Sequence, residues 1–216
     1  MQITKEFYKN ELAEFHRRFG EEIETYVKAE YLDNLAQCER ILVVGCGSGK
    51  EVEYLSARNK RASVIGVDFM VEPILYARAK YPSLKEQFVV GDYYSLGELF
   101  EGQFDAIVAN AAFVHLLERK DLQERIMPAI SQRLRPGGLA FLRLLDRPAV
   151  LERQQFDITP EFQGRPRWFV YYSEEELCEI ALQIRLSVVK RKTHPHDRFP
   201  GTSWSCVLLE KTIAAS

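Results

Sequence analysis

The sequence has few of the features that mark metal-binding or disulfide-stabilised proteins. Only four cysteines occur among its 216 residues, and no two of them form a C-x-x-C pair. This scarcity argues against a zinc site and against a redox-active dithiol, and no aspartate–histidine cluster has the spacing of metal ligands. We therefore predict no metal, and we expect reduced, mostly buried thiols in a cytoplasmic protein.

An excess of charge of one sign and long apolar runs are also missing. The 29 lysines and arginines nearly balance the 31 acidic residues, giving a net charge of −2, whereas proteins that bind nucleic-acid phosphates usually carry a strong basic excess. No apolar run approaches the length that crosses a bilayer, and the charged N-terminus lacks the apolar stretch of a secretory signal. We therefore expect a small-molecule partner rather than nucleic acid or a membrane, and a monomer or homodimer.

Short apolar runs alternate with helical patterns through most of the chain. Strands are predicted at 41–44, 62–67, 88–90, 104–109 and 139–145, and helices at 4–19, 20–36, 49–57, 72–80, 121–134 and 173–183. This alternation favours an α/β fold with a doubly wound, mostly parallel sheet and helices on both faces. Two last runs, 186–193 and 202–211, are joined by a connection too short for a crossover helix, so we predict that they run antiparallel.

A glycine-rich loop, Gly45-Cys46-Gly47-Ser48-Gly49, follows the first predicted strand and opens a helix. Glycines permit a tight turn and let a ligand lie against bare backbone, and the helix N-terminus offers free N–H groups. Asp68 closes the next strand, where a carboxylate can accept both hydroxyls of a ribose. The dinucleotide-binding fingerprint uses the same parts, but its third glycine would fall at Lys50, whose charged side chain disfavours close helix–strand packing.

Five segments appear in order, each at a strand end or turn: ILVVGCGSG, VIGVDFM, VVGDYYSL, FDAIVANAAFVHL and LRPGG. Over residues 4–211 this series resembles the class I, Rossmann-like S-adenosylmethionine (SAM)-dependent methyltransferases. The resemblance implies a seven-stranded sheet with an antiparallel last strand, an N-terminal helical cap, and SAM as cofactor. One departure concerns the residue two before the first glycine, which is usually acidic in the family and is Val43 here.

The resemblance also implies roles for individual residues. The loop Gly45, Cys46, Gly47 and Gly49 would flank the methionine and ribose of SAM. Asp68 would bind the ribose hydroxyls, Phe69 would pack on the adenine, and Asp92 with Tyr93 would meet the adenine edge. The N-terminal segment would cover the methionine with Tyr8, Phe15 and Arg18, and Arg18 suits a ligand carboxylate. For Asp92, a solvated turn, and for Phe69, plain core packing, remain alternatives.

Candidate catalytic residues follow from the rule that ligands of such sheets bind outside the carboxyl ends of the strands. Asn110 is at the position that often faces the transferring methyl group in the family. His115 is the best base candidate because its ordinary pKa lies near neutrality, although it could be a packing histidine. Weaker candidates are His196, next to Asp197, and Tyr172 in the segment 164–172, which mixes arginines with aromatics. That segment could instead be an arginine-rich surface loop.

We predict a single domain over residues 1–216, divided into a helical cap (1–39), a cofactor-binding core (40–146), and a substrate loop with C-terminal strands (147–216). The longest irregular stretch, 147–170, suits a functional lid or substrate loop. The predicted reaction is methyl transfer from SAM to a nitrogen or oxygen of a small molecule by in-line displacement. The alternatives are an NAD-dependent oxidoreductase, a non-catalytic SAM-binding protein, and methylation of a macromolecule.

Overall fold

The structure is a computed structural model that describes residues 6–11, 14, 22–147, 153–158, 166–196 and 201–213. Within them the strands are β1 (Arg40–Val44), β2 (Ser63–Asp68), β3 (Phe88–Val90), β4 (Phe104–Asn110), β5 (Leu134–Asp146), β6 (Gln154–Ile158), β7 (Pro166–Val170), β8 (Leu186–Pro195) and β9 (Ser203–Lys211). Residues 6–11 are helical, and the helices that follow are α1 (Thr25–Glu30), α2 (Lys50–Arg58), α3 (Val71–Lys80), α4 (Leu96–Leu99), α5 (Met127–Arg133) and α6 (Glu174–Gln183).

Seven strands form one sheet in the order β3-β2-β1-β4-β5-β9-β8. The neighbours from β3 to β5 are parallel, whereas β9 runs antiparallel to both β5 and β8. The predicted mostly parallel sheet with an antiparallel last strand is therefore confirmed. The chain runs outward from β1 through β2 to β3 and then crosses to β4 on the other side of β1. This reversal of strand order opens a crevice at the carboxyl ends of β1 and β4.

Two helices differ from their predictions. The predicted helix 20–36 is divided into α1 and a 3₁₀ turn at Leu32–Leu35, and Asn34 Nδ2 donates to Glu30 O at 2.9 Å, a side-chain bond that competes with helix continuation. The predicted helix 121–134 begins as a π-helical turn at Leu122–Ile126 before α5. Pro128 lies at the start of α5 and has no N–H to continue the preceding hydrogen bonds. None of the described helices is long and apolar enough to cross a membrane.

The prediction of an irregular stretch over 147–170 is wrong for part of its length. Strands β6 and β7 pair antiparallel, with Phe156 opposite Trp168, and form a hairpin outside the main sheet. The apolar pattern missed this hairpin because β6 reads QQFDI, without the apolar run of a buried strand or a clean alternation.

The core lies on both faces of the sheet, as the near-continuous apolar strands predict. Leu42 and Val44 of β1 face one buried cluster, whereas Ile41 and Val43 face the other, which includes residues of α1 and α2. Because both faces of β1 are buried, the loop at its carboxyl end is the part that reaches the crevice.

Candidate functional site

A cavity of about 250 Å³ lies at the carboxyl ends of β1, β2, β4 and β5. Its wall includes the glycine loop, the start of α2, the N-terminal segment and strand β7. The lining residues that the sequence singled out as cofactor-binding or catalytic are Tyr8, Gly45, Cys46, Gly47, Asp68, Phe69, Tyr93, Asn110, His115 and His196. The fold therefore brings most of the predicted site residues to one cavity.

The three loop glycines have positive φ angles of 63°, 49° and 82° but different surroundings. A Cβ on Gly45 would lie 2.6 Å from Ala112 Cβ, and a Cβ on Gly49 would lie 2.7 Å from the Phe88 ring. A Cβ on Gly47 would have no atom within 4 Å. Gly45 and Gly49 thus serve close packing, whereas Gly47 presents bare backbone to the cavity. Gly49 does not line the cavity and caps the N-terminus of α2.

Cys46 lies at the cavity wall with 3% of its surface exposed. A Cβ on Gly66 would approach its sulfur to 2.9 Å, so the thiol packs tightly against β2. Burial raises the pKa of the Cys46 thiol well above its ordinary value. A protonated, enclosed thiol is inert, so Cys46 contributes shape rather than nucleophilic chemistry.

Asp68 ends β2 and connects the glycine loop with the segment that follows. Its Oδ2 accepts from Gly47 N at 3.0 Å, and its Oδ1 accepts from Met70 N at 3.0 Å. Burial raises the pKa of Asp68, and the backbone hydrogen bonds oppose that rise. Because each carboxylate oxygen has more than one acceptor site, Asp68 can hold the loop and still accept from a ligand.

An aromatic wall continues from Asp68. The Phe69 ring is half-buried and meets Tyr93 edge-on at 5.8 Å between centroids, and both line the cavity. Asp92 is exposed, does not line the cavity, and accepts from Tyr94 N at 2.9 Å. The structure therefore places Phe69 and Tyr93 at a flat pocket and uses Asp92 to cap the turn beside it.

The opposite wall is formed by Tyr8, His115 and Arg167. Trp168 O lies 2.5 Å from His115 Nδ1, so this nitrogen carries the proton, and Nε2 accepts from Tyr8 Oη at 2.9 Å. Burial, with the adjacent Arg167 charge, lowers the pKa of His115 to about 3. Burial raises the pKa of Tyr8. His115 is therefore neutral at physiological pH and accepts through Nε2.

Arg167 is a buried cation on this wall, with 4% of its surface exposed. Its guanidinium carbon lies 4.8 Å from the Phe7 ring centroid and 4.9 Å from that of Phe169. Arg167 Nη1 also lies 3.4 Å from Tyr8 Oη. The hairpin thus carries a planar cation to the cavity between two aromatic rings, where cation–π contacts hold it.

A chain of polar side chains closes the end of the cavity beside β4 and β5. Asn110 Nδ2 donates to Glu51 Oε1 at 2.7 Å, and Asn110 Oδ1 accepts from Arg143 Nη1 at 3.0 Å. Arg143 Nη2 donates to Glu24 Oε1 at 2.7 Å, and its guanidinium lies 3.8 Å from the Trp204 ring centroid. All of these residues line the cavity. Asn110 is thereby held in one orientation by an acceptor and a donor.

The backbone is strained at the residue that follows β4. Ala111 follows Asn110 with φ of 58°, and Ala111 N donates to Arg143 O at 2.9 Å. A left-handed alanine costs roughly 1–3 kcal/mol and persists only where the surroundings enforce it. Ala111 lines the cavity, and the next residue, Ala112, packs against Gly45 of the glycine loop, which agrees with a turn shaped for a ligand.

Two predicted catalytic residues lie in different surroundings. The His196 ring stacks on Trp204 at 5.0 Å and lines the cavity. Tyr172 is outside the cavity, buried in the core, and its hydroxyl donates to Arg119 O. The catalytic role predicted for Tyr172 does not fit this position, because a catalytic group must reach the substrate. Arg18, Phe15 and Asp197 lie outside the described residues.

Several lining residues escaped the sequence analysis. Glu24 and Glu51 sit in helical segments where a carboxylate is ordinary, so no sequence signal marks them. Arg143 does carry a signal, because it interrupts the apolar strand LAFLRLL and is 3% exposed. Buried charges of this kind are rare unless they are paired. The described residues include no group of three histidine, cysteine or acidic side chains that could hold a metal ion.

Comparison with known proteins agrees with this geometry. Residues 41–138 match a family described as a methyltransferase domain. The chain is 30% identical over 123 residues to a fatty-acid O-methyltransferase of Mycolicibacterium smegmatis, covering 55% of this chain and 43% of that protein. It is 32% identical over 156 residues to a ubiquinone biosynthesis O-methyltransferase of Nitrosococcus oceani, covering 64% and 62%. These matches span less than two thirds of the length of either relative.

A solved structure extends the likeness in fold to almost the whole chain. The 1,6-didemethyltoxoflavin-N1-methyltransferase of Burkholderia thailandensis superposes with a TM-score of 0.74 at 17% identity, covering 98% of this chain and 88% of that one. Sheet order and the antiparallel last strand thus agree with the fold of that methyltransferase. Residues 41–138 of this chain match a methyltransferase domain, and the chain has the Rossmann-like fold of the class I SAM-dependent methyltransferases.

Proposed function

We propose that this chain transfers the methyl group of SAM to an oxygen or nitrogen of a small-molecule acceptor by in-line displacement. The observation that carries the proposal is the open space at Gly47, next to Asp68, in a cavity whose far wall holds Tyr8, His115 and Arg167. One cavity thus offers a cofactor side and an acceptor side. The NAD-dependent alternative is not favoured, because the matched relatives are methyltransferases.

The cofactor side suits the parts of SAM. Bound SAM supplies an electrophilic methyl group on a sulfonium. Asp68 has the acceptor capacity for ribose hydroxyls, and Phe69 with Tyr93 offers a flat apolar surface for adenine. Gly47 leaves backbone accessible to the sulfonium and methionine, and Gly45 lines the same cavity. Asp92, which precedes Tyr93 in the chain and does not line the cavity, remains the proposed acceptor for the adenine amino group.

On the acceptor side we propose a substrate with a carboxylate. Arg167 is suited to a planar anion, since a guanidinium forms paired hydrogen bonds with carboxylate oxygens. A carboxylate oxygen is already a nucleophile, so no base is required. This matters because His115, with its pKa lowered to about 3, is a weak base. The name of the fatty-acid O-methyltransferase relative agrees with such an acceptor.

His115 then acts through position rather than proton removal. Its Nδ1–H is fixed on Trp168 O, which holds the ring and directs Nε2 toward Tyr8 Oη. Displacement reactions need a nucleophile that is aligned and shielded from water. We propose that His115, Tyr8 and Asn110 align the acceptor and enclose the reacting atoms.

Mass spectrometry tests this proposal directly. The chain is incubated with SAM and separate panels of carboxylic acids, phenols and amines, and product SAH and methylated acceptor are measured. We expect methyl esters from one or more carboxylic acids. Methylation of amines or phenols alone would overturn the carboxylate proposal, and SAM binding without turnover on all panels would favour the non-catalytic alternative.

Substitutions distinguish the acceptor side of the cavity from the cofactor side by their effects on KM, kcat and SAH affinity. Arg167→Met should raise KM for the acid by at least about tenfold, since a charge-assisted hydrogen bond is lost, and should leave SAH affinity unchanged. His115→Asn should lower kcat with SAH affinity kept. Arg61→Met, at an exposed arginine, is the matched control and should change neither constant.

A further inference from the structure

Two carboxylates lie at the closed end of the cavity, and they differ in whether a cationic side chain is paired with them. Burial raises the pKa of Glu24, but the charges of Arg143 and Lys50 more than offset it, and the pKa is lowered. Glu24 also forms a direct ion pair with Arg143 at 2.7 Å. The carboxylate of Glu24 therefore has its cation within the protein.

The carboxylate of Glu51 is not paired with a cation in this way. It is 5% exposed and lines the cavity, and its hydrogen-bond partner in the described part of the chain is the neutral amide of Asn110. No lysine or arginine among the described residues forms an ion pair with it. Buried carboxylates are normally paired with a cation, because desolvation of a lone charge is costly. The first turn of α2 supplies only a partial positive charge.

The order of residues along the cavity indicates which end of the cofactor would lie next to Glu51. Phe69 and Tyr93, the flat pocket, lie beyond β2 on one side of Asp68, whereas Asn110 ends β4 on the other side of β1. A ligand with its ribose at Asp68 and its adenine at Phe69 directs its remaining part toward Asn110 and Glu51. In SAM that part is an amino acid with a cationic α-ammonium.

We infer that the carboxylate of Glu51 binds the α-ammonium of SAM. The inference rests on the proposed function and assigns a specific residue to the methionine end. Val43, at the position where the family usually has an acid, is 2% exposed and packs in the apolar cluster with Ile41. Strand β1 therefore offers no carboxylate, and α2 supplies it from the other side of the glycine loop.

Calorimetry with two ligands tests the assignment. One is S-adenosylhomocysteine (SAH), and the other is its deaminated analogue, which keeps the adenosyl group and the carboxylate but lacks the ammonium. The wild-type chain should prefer SAH. Glu51→Gln keeps the shape and an acceptor for Asn110, and it should reduce this preference by at least about tenfold through loss of SAH affinity. Affinity for the deaminated analogue should stay within about twofold.

Three controls make each outcome decisive. Glu51→Asp keeps the charge and should retain part of the preference, and it serves if Glu51→Gln does not fold. Glu53→Gln, on the same helix but outside the wall of this cavity, should keep the full preference. Asp68→Ala should lower the affinity for both ligands by the same factor. An unchanged preference in Glu51→Gln, or equal loss for both ligands, would overturn the inference, whereas failure of wild type to bind SAH would overturn the proposed function itself.

Discussion

At the residue scale, the three glycines of the loop have different roles, although they look alike in the sequence. Gly45 and Gly49 have neighbours closer than 3.0 Å to a Cβ, whereas Gly47 has open space. All three have positive φ. The spacing of the motif predicts the loop, but only the packing separates the glycines that the fold needs from the one that a ligand needs.

This division leads to a prediction for Gly47→Ala. An alanine at positive φ costs roughly 1–2 kcal/mol in the free energy of unfolding, and its methyl group would enter the cavity. We expect SAH affinity to fall at least about tenfold, measured by calorimetry, with stability measured by urea denaturation. Gly201→Ala is the matched control, because Gly201 has φ of 72°, open space, and no contact with the cavity.

Gly201→Ala should show the same loss of stability with unchanged SAH affinity. Gly49→Ala should lose more stability than either, because its methyl group meets the Phe88 ring at 2.7 Å. If Gly47→Ala binds SAH like the wild type, no ligand lies against that backbone and the cofactor position proposed here is wrong.

At the element scale, α6 begins with a capping box that is visible in the sequence. Ser173 Oγ accepts from Glu176 N at 3.2 Å, and Glu176 Oε2 accepts from Ser173 N at 2.8 Å. We predict that Ser173→Ala lowers the free energy of unfolding by about 1 kcal/mol, as measured by urea denaturation. Ser95→Ala is the control, since Ser95 precedes α4 without a side-chain capping bond. An equal loss in both variants would contradict a specific cap.

The elements differ in how readily the sequence predicts them. Buried parallel strands such as β1 are apolar runs bounded by glycines, and their positions agree with the structure. The β6–β7 hairpin was missed because its two strands stabilise each other through pairing rather than through apolar runs. That hairpin carries Arg167, whose segment 164–172 the sequence did mark by its arginines and aromatics. It also carries the Trp168 carbonyl that orients His115, a contact that the sequence pattern did not predict.

The residues of the candidate site also differ in whether the sequence predicts them. Motif positions predicted Asp68, Phe69 and Asn110, and these line the cavity. Glu51 and Arg143 come from a helix and a strand with no shared motif, and they meet only through Asn110. Contacts between side chains distant in sequence depend on tertiary packing, which a single sequence does not display.

At the scale of the whole molecule, His115 should make stability depend on pH. Its pKa is lowered from 6.5 to about 3 in the fold. Between these values the unfolded chain binds a proton that the folded chain excludes, so the free energy of unfolding decreases as the pH falls below 6.5. The decrease from this residue is about 1.4 kcal/mol per pH unit.

Urea denaturation at pH 7 and pH 5 measures this effect, with His115→Asn as the comparison. The wild type should lose more stability on acidification than the variant, because the other titrating groups are common to both. Equal losses would mean that His115 is accessible to protons in the folded chain.

Whether the glycine loop and Asp68 hold SAM is measured by calorimetric titration of the wild type and Asp68→Ala with SAH and with NAD. We expect micromolar-range binding of SAH to the wild type, at least about tenfold weaker binding to Asp68→Ala, and no binding of NAD. Binding of NAD in preference to SAH, or equal SAH affinity in both proteins, would contradict this role of the glycine loop and Asp68.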